Sequence, residues 1–374
     1  MNTKRSAFAV VGVTHVTDLY PNVKYKLALL QEFAHPAVQL YDLGESSFAQ
    51  VATRARLLVR AGFALRFLWA HWCIFSKALL RPASVVYIPY PAVPILLFYS
   101  IWPVRKRPRL LADAFISLYD SIVLDRGLLA RPHWLARLLF RVERRAFLTA
   151  DVVIVDTVEN GAHYAELFGI AATRFIDLAL SVPPLPLLPA RPARQLRFRC
   201  LFMGSMVPLQ GVMTILQAAL LLKDRSDIEF RIIGTGQEAP LVEAFLAEHP
   251  GIRVTWASEI QATTSLIQEI READLCLGIF GSSAKAERVL PYKLYYYAIL
   301  GRPFVTRRSA TLQRIAPWQL QCENTPDALA ERIQTLSQDM TQLNACTDAA
   351  RALGRTLGDK HQLASRLREL LNVS

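Results

Sequence analysis

Cys200–Ala219, CLFMGSMVPLQGVMTILQAA, reads as a strand, a glycine turn and a helix. An apolar run ends at Gly204, and Gly211 opens a second apolar run with helical spacing. Glycine at both places lets the backbone approach a ligand closely. Residues 273–305, ADLCLGIFGSSAKAERVLPYKLYYYAILGRPFV, run strand, glycine-containing loop, helix and strand. Pro291 is placed to open that helix and Gly301 to close it. Between these stretches, EFRIIGTG (229–236) ends in Gly234-Thr235-Gly236, and IRVTWAS (252–258) is a further short apolar run.

Working outward, the same alternation fills the chain. The first half holds candidate strands AFAVVGV (7–13), VQLYDLG (38–44), VVYIPY (85–90), RLLADAF (109–115) and DVVIVDT (151–157). The second adds FRCLFMGS (198–205) and PFVTRR (303–308) to those above. Apolar strands separated by helices predict an α/β chain with parallel sheets. The 374 residues suit two domains better than one. The proline-rich segment SVPPLPLLPARPARQLR (181–197) reads as a stiff connection. The expected division is therefore domain 1–182, linker 183–198 and domain 199–374, the last including the helices at the C-terminus, whose final one can pack back across the fold.

Composition excludes several classes. Hydrophobic residues are 52% and charged residues 20%, which fits neither a disordered nor a fibrous chain. The five cysteines are scattered without a C-x-x-C pair, so no zinc site or disulfide framework is expected. The N-terminal MNTKRSAFAVVGVTHV has the charge of a leader but a short, valine-rich apolar part, and reads as a first buried strand. Val85–Val104 approaches a membrane span in length, yet Pro89, Pro91, Pro94 and Pro103 divide it into strand and helix.

The formal net charge is +12. Arg54–Arg81 places Arg56, Arg60, Arg66, His71, Lys77 and Arg81 on one side of a helix and Leu58, Leu65, Leu68, Trp69 and Trp72 on the other. A second helix, from His133, carries Arg137, Arg141, Arg144 and Arg145, and RKRPR spans 105–109. Basic segments beside Trp, Phe and Leu predict contact with an anionic membrane surface. No nucleic-acid-binding module is present, so nucleic acid is not an expected partner.

MGSMVPLQGV (203–212), IIGTGQE (232–238), GIFGSSAKAERVLPYKLYYYAILGRP (278–303), ADAFISLYDSIVLDR (112–126) and ADVVIVDTVENGAHYAELFGI (150–170) together resemble the retaining glycosyltransferases of the GT-B fold, glycosyltransferase family 4 in particular. The resemblance implies two Rossmann-like domains with a cleft between them. It implies a cytoplasmic enzyme, peripheral on the inner membrane. Such an enzyme moves a sugar from a nucleotide sugar to a lipid-linked acceptor, in the manner of polyprenyl-diphosphate carriers of surface polysaccharide. Retention of configuration follows from the same resemblance, and stabilising the departing diphosphate with fixed cations requires no metal.

Site residues follow position by position. In the donor half the resemblance implies contacts from Gly204, Ser205, Gln210, Gly211, Gly234, Gly236, Trp256, Ser258, Gly281, Lys285 and Tyr296. Arg288 and Lys293 would stabilise the departing diphosphate, beside a helix N-terminus that itself favours anions. In the first domain Asp113 ends a strand where the family presents a polar group to the sugar. His15, Asp120, Asp125 and Arg126 would meet the acceptor. Ser205 and Gln210 stand where the family has Arg and Lys, and Tyr296 where it has a ribose-binding Glu. These departures motivate an alternative, a catalytically silent protein of this fold acting as a binding or assembly partner. A nicotinamide enzyme is set aside because Gly234-Thr235-Gly236 lacks the third glycine, Ala239 standing in its place. No Asp-x-Asp metal motif is evident, no cofactor is expected, and oligomeric state stays open.

Overall fold

The structure, a computed structural model, describes residues 8–14, 20–33, 37–42, 57–189, 197–259 and 263–372. His15, Arg54, Arg56 and residues 190–196 of the proline-rich connection lie outside these, as do the side chains of Leu58 and Arg60. The chain divides into two units, 1–183 with 360–374, and 184–359.

The first unit is built on a parallel sheet of β1 (Phe8–Thr14), β2 (Ala37–Asp42), β3 (Val85–Ile88), β4 (Arg109–Asp113), β5 (Val152–Val155) and β6 (Phe175–Asp177), in the order β2-β1-β3-β4-β5-β6. Its inner strands are rich in Val, Ile, Leu and Ala, and β1, β3 and β5 are buried along their whole length, as parallel strands require. One face is covered by α2 (Leu57–Leu80), α3 (Val93–Ile101), α4 (Trp134–Thr149) and α5 (Val158–Phe168), which share a core from Phe67 to Phe168. The other face is covered by α1 (Pro21–Gln31) and by the last helix of the chain, Lys360–Leu371. Leu367, Leu370 and Leu371 of that helix are buried with Leu27, Leu30 and Phe33. The final helix does pack back, and it belongs with the first unit rather than the second, because its apolar stripe meets α1.

The second unit has a parallel sheet of β7 (Phe198–Met203), β8 (Ile228–Ile233), β9 (Val254–Ala257), β10 (Leu275–Leu277), β11 (Phe304–Arg307) and β12 (Gln321–Cys322), in the order β12-β11-β10-β7-β8-β9. Its helices are α6 (Val212–Leu221), α7 (Ala239–Glu248), α8 (Thr263–Glu272), α9 (Tyr292–Ile299), α10 (Ala310–Ile315), α11 (Pro326–Gln338) and α12 (Met340–Leu357), with the final helix becoming α13. Two edge strands, β6 and β12, are absent from the sequence reading; both are too short to show a period.

Connections after neighbouring strands leave in opposite directions between β1 and β3, and between β7 and β10. Open parallel sheets bind ligands beyond the strand C-termini at such switch points. Each unit therefore points to one place for a site.

One helix departs from its expected faces. In α2 the buried stripe is Phe67, Ala70, His71, Ile74, Phe75 and Ala78. His71, expected on the basic side, lies inside, with its Nδ1 2.7 Å from Phe67 O. Leu65, Leu68, Trp69 and Trp72 are the residues left outside, at 69%, 55%, 66% and 53% exposure. The core needs only the narrower side of the helix, and aromatic bulk falls on the solvent face.

Candidate functional site

In the second unit the loops after β7, β8 and β10 are tied to one another by main-chain bonds. Gly204 N donates to Ile233 O, Met206 N to Thr235 O, and Phe280 N to Gln210 O, at 3.0, 3.0 and 2.9 Å. Two glycines make this possible. Gly211 sits at φ +64, and a Cβ there would lie 2.1 Å from the Phe280 carbonyl carbon. A Cβ on Gly234 would lie 1.9 Å from Gly204 O.

Lys293 reaches this knot from the first turn of α9. Its Nζ is 3.7 Å from the centre of the Phe202 ring and donates to Gly278 O at 3.4 Å. It also lies under Gly204, 2.9 Å from where a Cβ would stand. Lys293 is buried, and burial pushes its pKa well below the usual lysine range. The side-chain oxygen of Gln210 is buried in the same spot without a hydrogen-bond partner. A desolvated ammonium, an unsatisfied amide and a helix N-terminus thus meet at the β7/β10 switch point, a setting that favours an incoming anion.

Other expected donor residues take supporting places. Trp256 donates its ring N–H to Gly234 O at 2.9 Å and so holds the β8 loop. Gly236 continues that loop at positive φ, and Ser258 is exposed just past β9. Tyr296 is buried, 5.4 Å ring to ring from Tyr292. Ser205 follows Gly204 in the β7 loop, and its carbonyl accepts from Val207 N. Lys285 is buried on the turn before α9, while Arg288 donates from Nη1 to Ala284 O at 2.7 Å, onto its own turn. Gly281 packs against the Pro208 and Leu209 carbonyls and accepts from Arg307 Nη1 at 2.6 Å. Arg307, which also bonds Glu287, is a positioning residue that the sequence reading passed over. Among the described residues no group of three or more His, Cys, Asp or Glu is arranged to hold a metal ion.

In the first unit Asp113 is enclosed rather than presented. Its Oδ2 receives Lys26 Nζ and Tyr87 OH, both at 2.7 Å, and Lys26 and Asp113 are each 1% exposed. Burial and this carboxylate push the Tyr87 phenol well up. The loop after β4 is instead fastened by Glu143 of α4, which accepts from Leu118 N, Tyr119 N and the Ser117 hydroxyl at 2.8–2.9 Å. Burial raises the Glu143 pKa, and those three bonds oppose the rise. Glu143 was read only as part of a basic helix; nothing in its spacing marks a carboxylate that faces inward.

That loop leads into a π-helical turn, Asp120–Asp125, a geometry frequent at functional sites. Asp120 is buried and its Oδ1 lies 3.2 Å from His163 Nε2 of α5. Asp125 has a buried Oδ1 without a partner, and Arg126 is exposed at the end of the turn. At the β1/β3 switch point Thr14 donates to Tyr90 O at 2.7 Å. Tyr90 stands 4.9 Å from Phe115 and 6.3 Å from Tyr20, ring to ring. Burial raises both phenols and the charge of Arg126 acts against it. The three rings with Arg126 form a polar-aromatic surface that isolated Tyr and Phe residues do not advertise in sequence. His15 lies outside the described residues.

Residues 197–339 match the family model described as Glycosyl transferases group 1, so the second unit carries a glycosyltransferase domain. No curated protein is similar enough in sequence to match. Among solved structures, HepE of Anabaena in complex with UDP and glucose has a TM-score of 0.66 at 12% identity, covering 97% of this chain and 99% of that one. Sucrose-phosphate synthase from Thermosynechococcus elongatus has 0.67 at 14%, covering 97% and 98%. The lipopolysaccharide outer core galactosyltransferase WaaB has 0.62 at 13%, covering 96% and 99%. At such identities the likeness is one of fold, and the fold is the two-unit α/β arrangement named GT-B.

Proposed function

We propose that the chain transfers a hexosyl group from a nucleotide sugar to a lipid-linked acceptor, with retention and without a metal. The observation that carries this reading is Lys293, buried under Gly204 at the β7/β10 switch point inside the glycosyltransferase domain. Cleaving a glycosyl–phosphate bond leaves negative charge on the departing diphosphate. A cation fixed in advance, with the N-terminus of α9 behind it, stabilises that charge without rearrangement. UDP or a UDP-sugar is the natural first donor to try, since HepE is similar in fold and binds UDP and glucose.

The acceptor reading is supported by the outer layer of the first unit. Leu65, Leu68, Trp69 and Trp72 of α2, and Trp134, Leu135 and Leu138 of α4, are exposed. Arg66, Lys77, Arg137, Arg141 and Arg145 are exposed on the same helices. Among the described residues no helix is long and apolar enough to cross a membrane. A peripheral seat on an anionic leaflet, on the cytoplasmic side where sugar carriers are loaded, fits an amphipathic layer of this kind. A polyprenyl-diphosphate acceptor in bacterial surface polysaccharide assembly is the corresponding substrate class.

The test joins donor and membrane. The purified chain is screened by thermal shift and sugar release against UDP-, GDP- and dTDP-sugars, with and without EDTA. It is then floated with phosphatidylglycerol vesicles. Stabilisation by one nucleotide, EDTA-resistant sugar release and flotation that drops in Trp69→Ser/Trp72→Ser support the proposal. Binding of a nucleotide without turnover supports the silent partner that Ser205, Gln210 and Tyr296 motivate. Failure to float overturns the membrane reading alone.

A further inference from the structure

The second unit contains an arginine cluster that the donor site does not use. Arg302 follows Gly301 at the close of α9 and precedes β11, so it lies at the N-terminal end of the sheet. Gly204 and Gly281 lie past the other end. Strands β7 and β11 run six and four residues, and at ~3.3 Å per residue the two ends stand about 15 Å apart.

Arg302 is 5% exposed, and its Nε and Nη2 have no hydrogen-bond partner. Arg351 of α12 lies against the same dipeptide, its Cγ and Nε 3.2 and 3.3 Å from where a Cβ on Gly301 would stand. Arg351 Nε is also buried without a partner, and Arg351 makes a long ion pair, 3.8 Å, with the exposed Asp348. Arg271, at the end of α8, is exposed and its charge acts on Arg302. Burial lowers the Arg302 pKa; Cys276 opposes the fall, and the charges of Arg351 and Arg271 add to it.

A guanidinium cannot shed its charge, and leaving it buried and unpaired costs several kcal/mol. Methionine would fill the same space without that cost. Like charges beside it make matters worse unless an anion joins them. Two guanidinium groups with buried, unpartnered N–H donors on either side of Gly301, with the charge of the exposed Arg271 acting on one of them, match a group with several charged oxygens. A single carboxylate would leave most of those donors unused.

We propose that Arg302 and Arg351 form a second anion site, for a phosphate or diphosphate group, at the end of the sheet opposite the donor site. Its natural ligand is either a soluble phosphorylated compound or the phosphate of a lipid headgroup. The proposal does not depend on the identity of the sugar donor.

Inorganic pyrophosphate is the probe, titrated by calorimetry into full-length Lys293→Met, which removes the donor-site ammonium. One pyrophosphate is expected to bind. Adding Arg302→Met should abolish binding, and adding Arg351→Met should weaken it about tenfold, the size of one lost charged hydrogen bond. The urea midpoint of Arg302→Met should equal or exceed that of the parent, since a buried unpaired charge is gone; if this variant does not fold, Arg351→Met carries the comparison. No binding to Lys293→Met, or equal binding after Arg302 or Arg351 is replaced, overturns the site. Sedimentation with phosphatidic acid vesicles separates the sources. Arg302-dependent vesicle binding that pyrophosphate displaces supports the site with a lipid ligand, and pyrophosphate binding without vesicle binding supports it with a soluble one.

Discussion

Lys293 holds a buried charge in the donor half. Its pKa is depressed by burial, and its nearest neighbours are the Phe202 ring, Gly278 O and the Gln210 amide. A diphosphate beside it would favour the ammonium and raise that pKa. Donor binding should then take up a proton, and affinity should fall as pH rises through the depressed value. Calorimetry in two buffers of different ionisation enthalpy reads the uptake directly, and in Lys293→Met it should vanish while sugar release drops about 10²- to 10³-fold. Asp113 calls for a different experiment. Breaking its pair with Lys26 leaves a buried ammonium alone, so Asp113→Leu should cost about 3–5 kcal/mol. If the carboxylate only holds α1 to β4, Lys26→Met/Asp113→Leu regains both stability and turnover. Turnover that stays lost in a stable double variant would give Asp113 a chemical part. His71 makes a third prediction. Its Nδ1–H is spent on Phe67 O, and its buried Nε2 has no acceptor for a second proton, so burial lowers its pKa to about 4. Its folded value lies below the ordinary 6.5, so the unfolded chain binds the proton more tightly. Stability is then full above pH 6.5 and falls by up to about 3 kcal/mol as pH drops toward 4. Urea midpoints at pH 7 and pH 5 should differ in the parent and converge in His71→Leu.

Elements repeat the contrast between what patterning shows and what packing decides. The glycine turn at 204–211 and the helix between Pro291 and Gly301 were legible, because apolar runs and turn residues are local signals. The loops meet as a knot, however, only because Gly211 accepts φ +64 against the Phe280 carbonyl. Gly211→Ala should therefore cost at least about 2 kcal/mol, through strain and main-chain overlap. Hydrogen exchange in 278–283 should rise, and exchange in β1 and β3 of the other unit should stay as it was. What escaped the sequence was long-range. Lys26 and Asp113 are 87 positions apart, and Glu143 turns inward from a helix whose other charges face out. The edge strands β6 and β12 are three and two residues long, held by their neighbours rather than by any period of their own. The aromatic group of Tyr20, Tyr90 and Phe115 comes from three separate connections, so no stretch of sequence contains it.

At the scale of the whole chain, the first and last segments share one core. Leu367, Leu370 and Leu371 of α13 bury against α1, Arg109 donates to Leu370 O at 2.8 Å, and Arg368 lies 4.9 Å over the Phe33 ring. Sequence order alone puts α13 with the second unit; its apolar stripe puts it with the first. Three buried leucines contribute up to about 6 kcal/mol, since a fully buried one is worth about 2 kcal/mol against an extended reference. Ending the chain at residue 359 should therefore weaken the first unit and leave the second nearly unchanged. Hydrogen exchange would show faster exchange in α1, β1 and β3 with β7, β8 and β10 preserved. Because the Lys293 knot lies entirely in 184–359, the shortened chain should still bind nucleotide while transfer to an acceptor declines. Loss of nucleotide binding would show that the donor half depends on the first unit for its order. Unchanged exchange in α1 would show that the α13 contact contributes little.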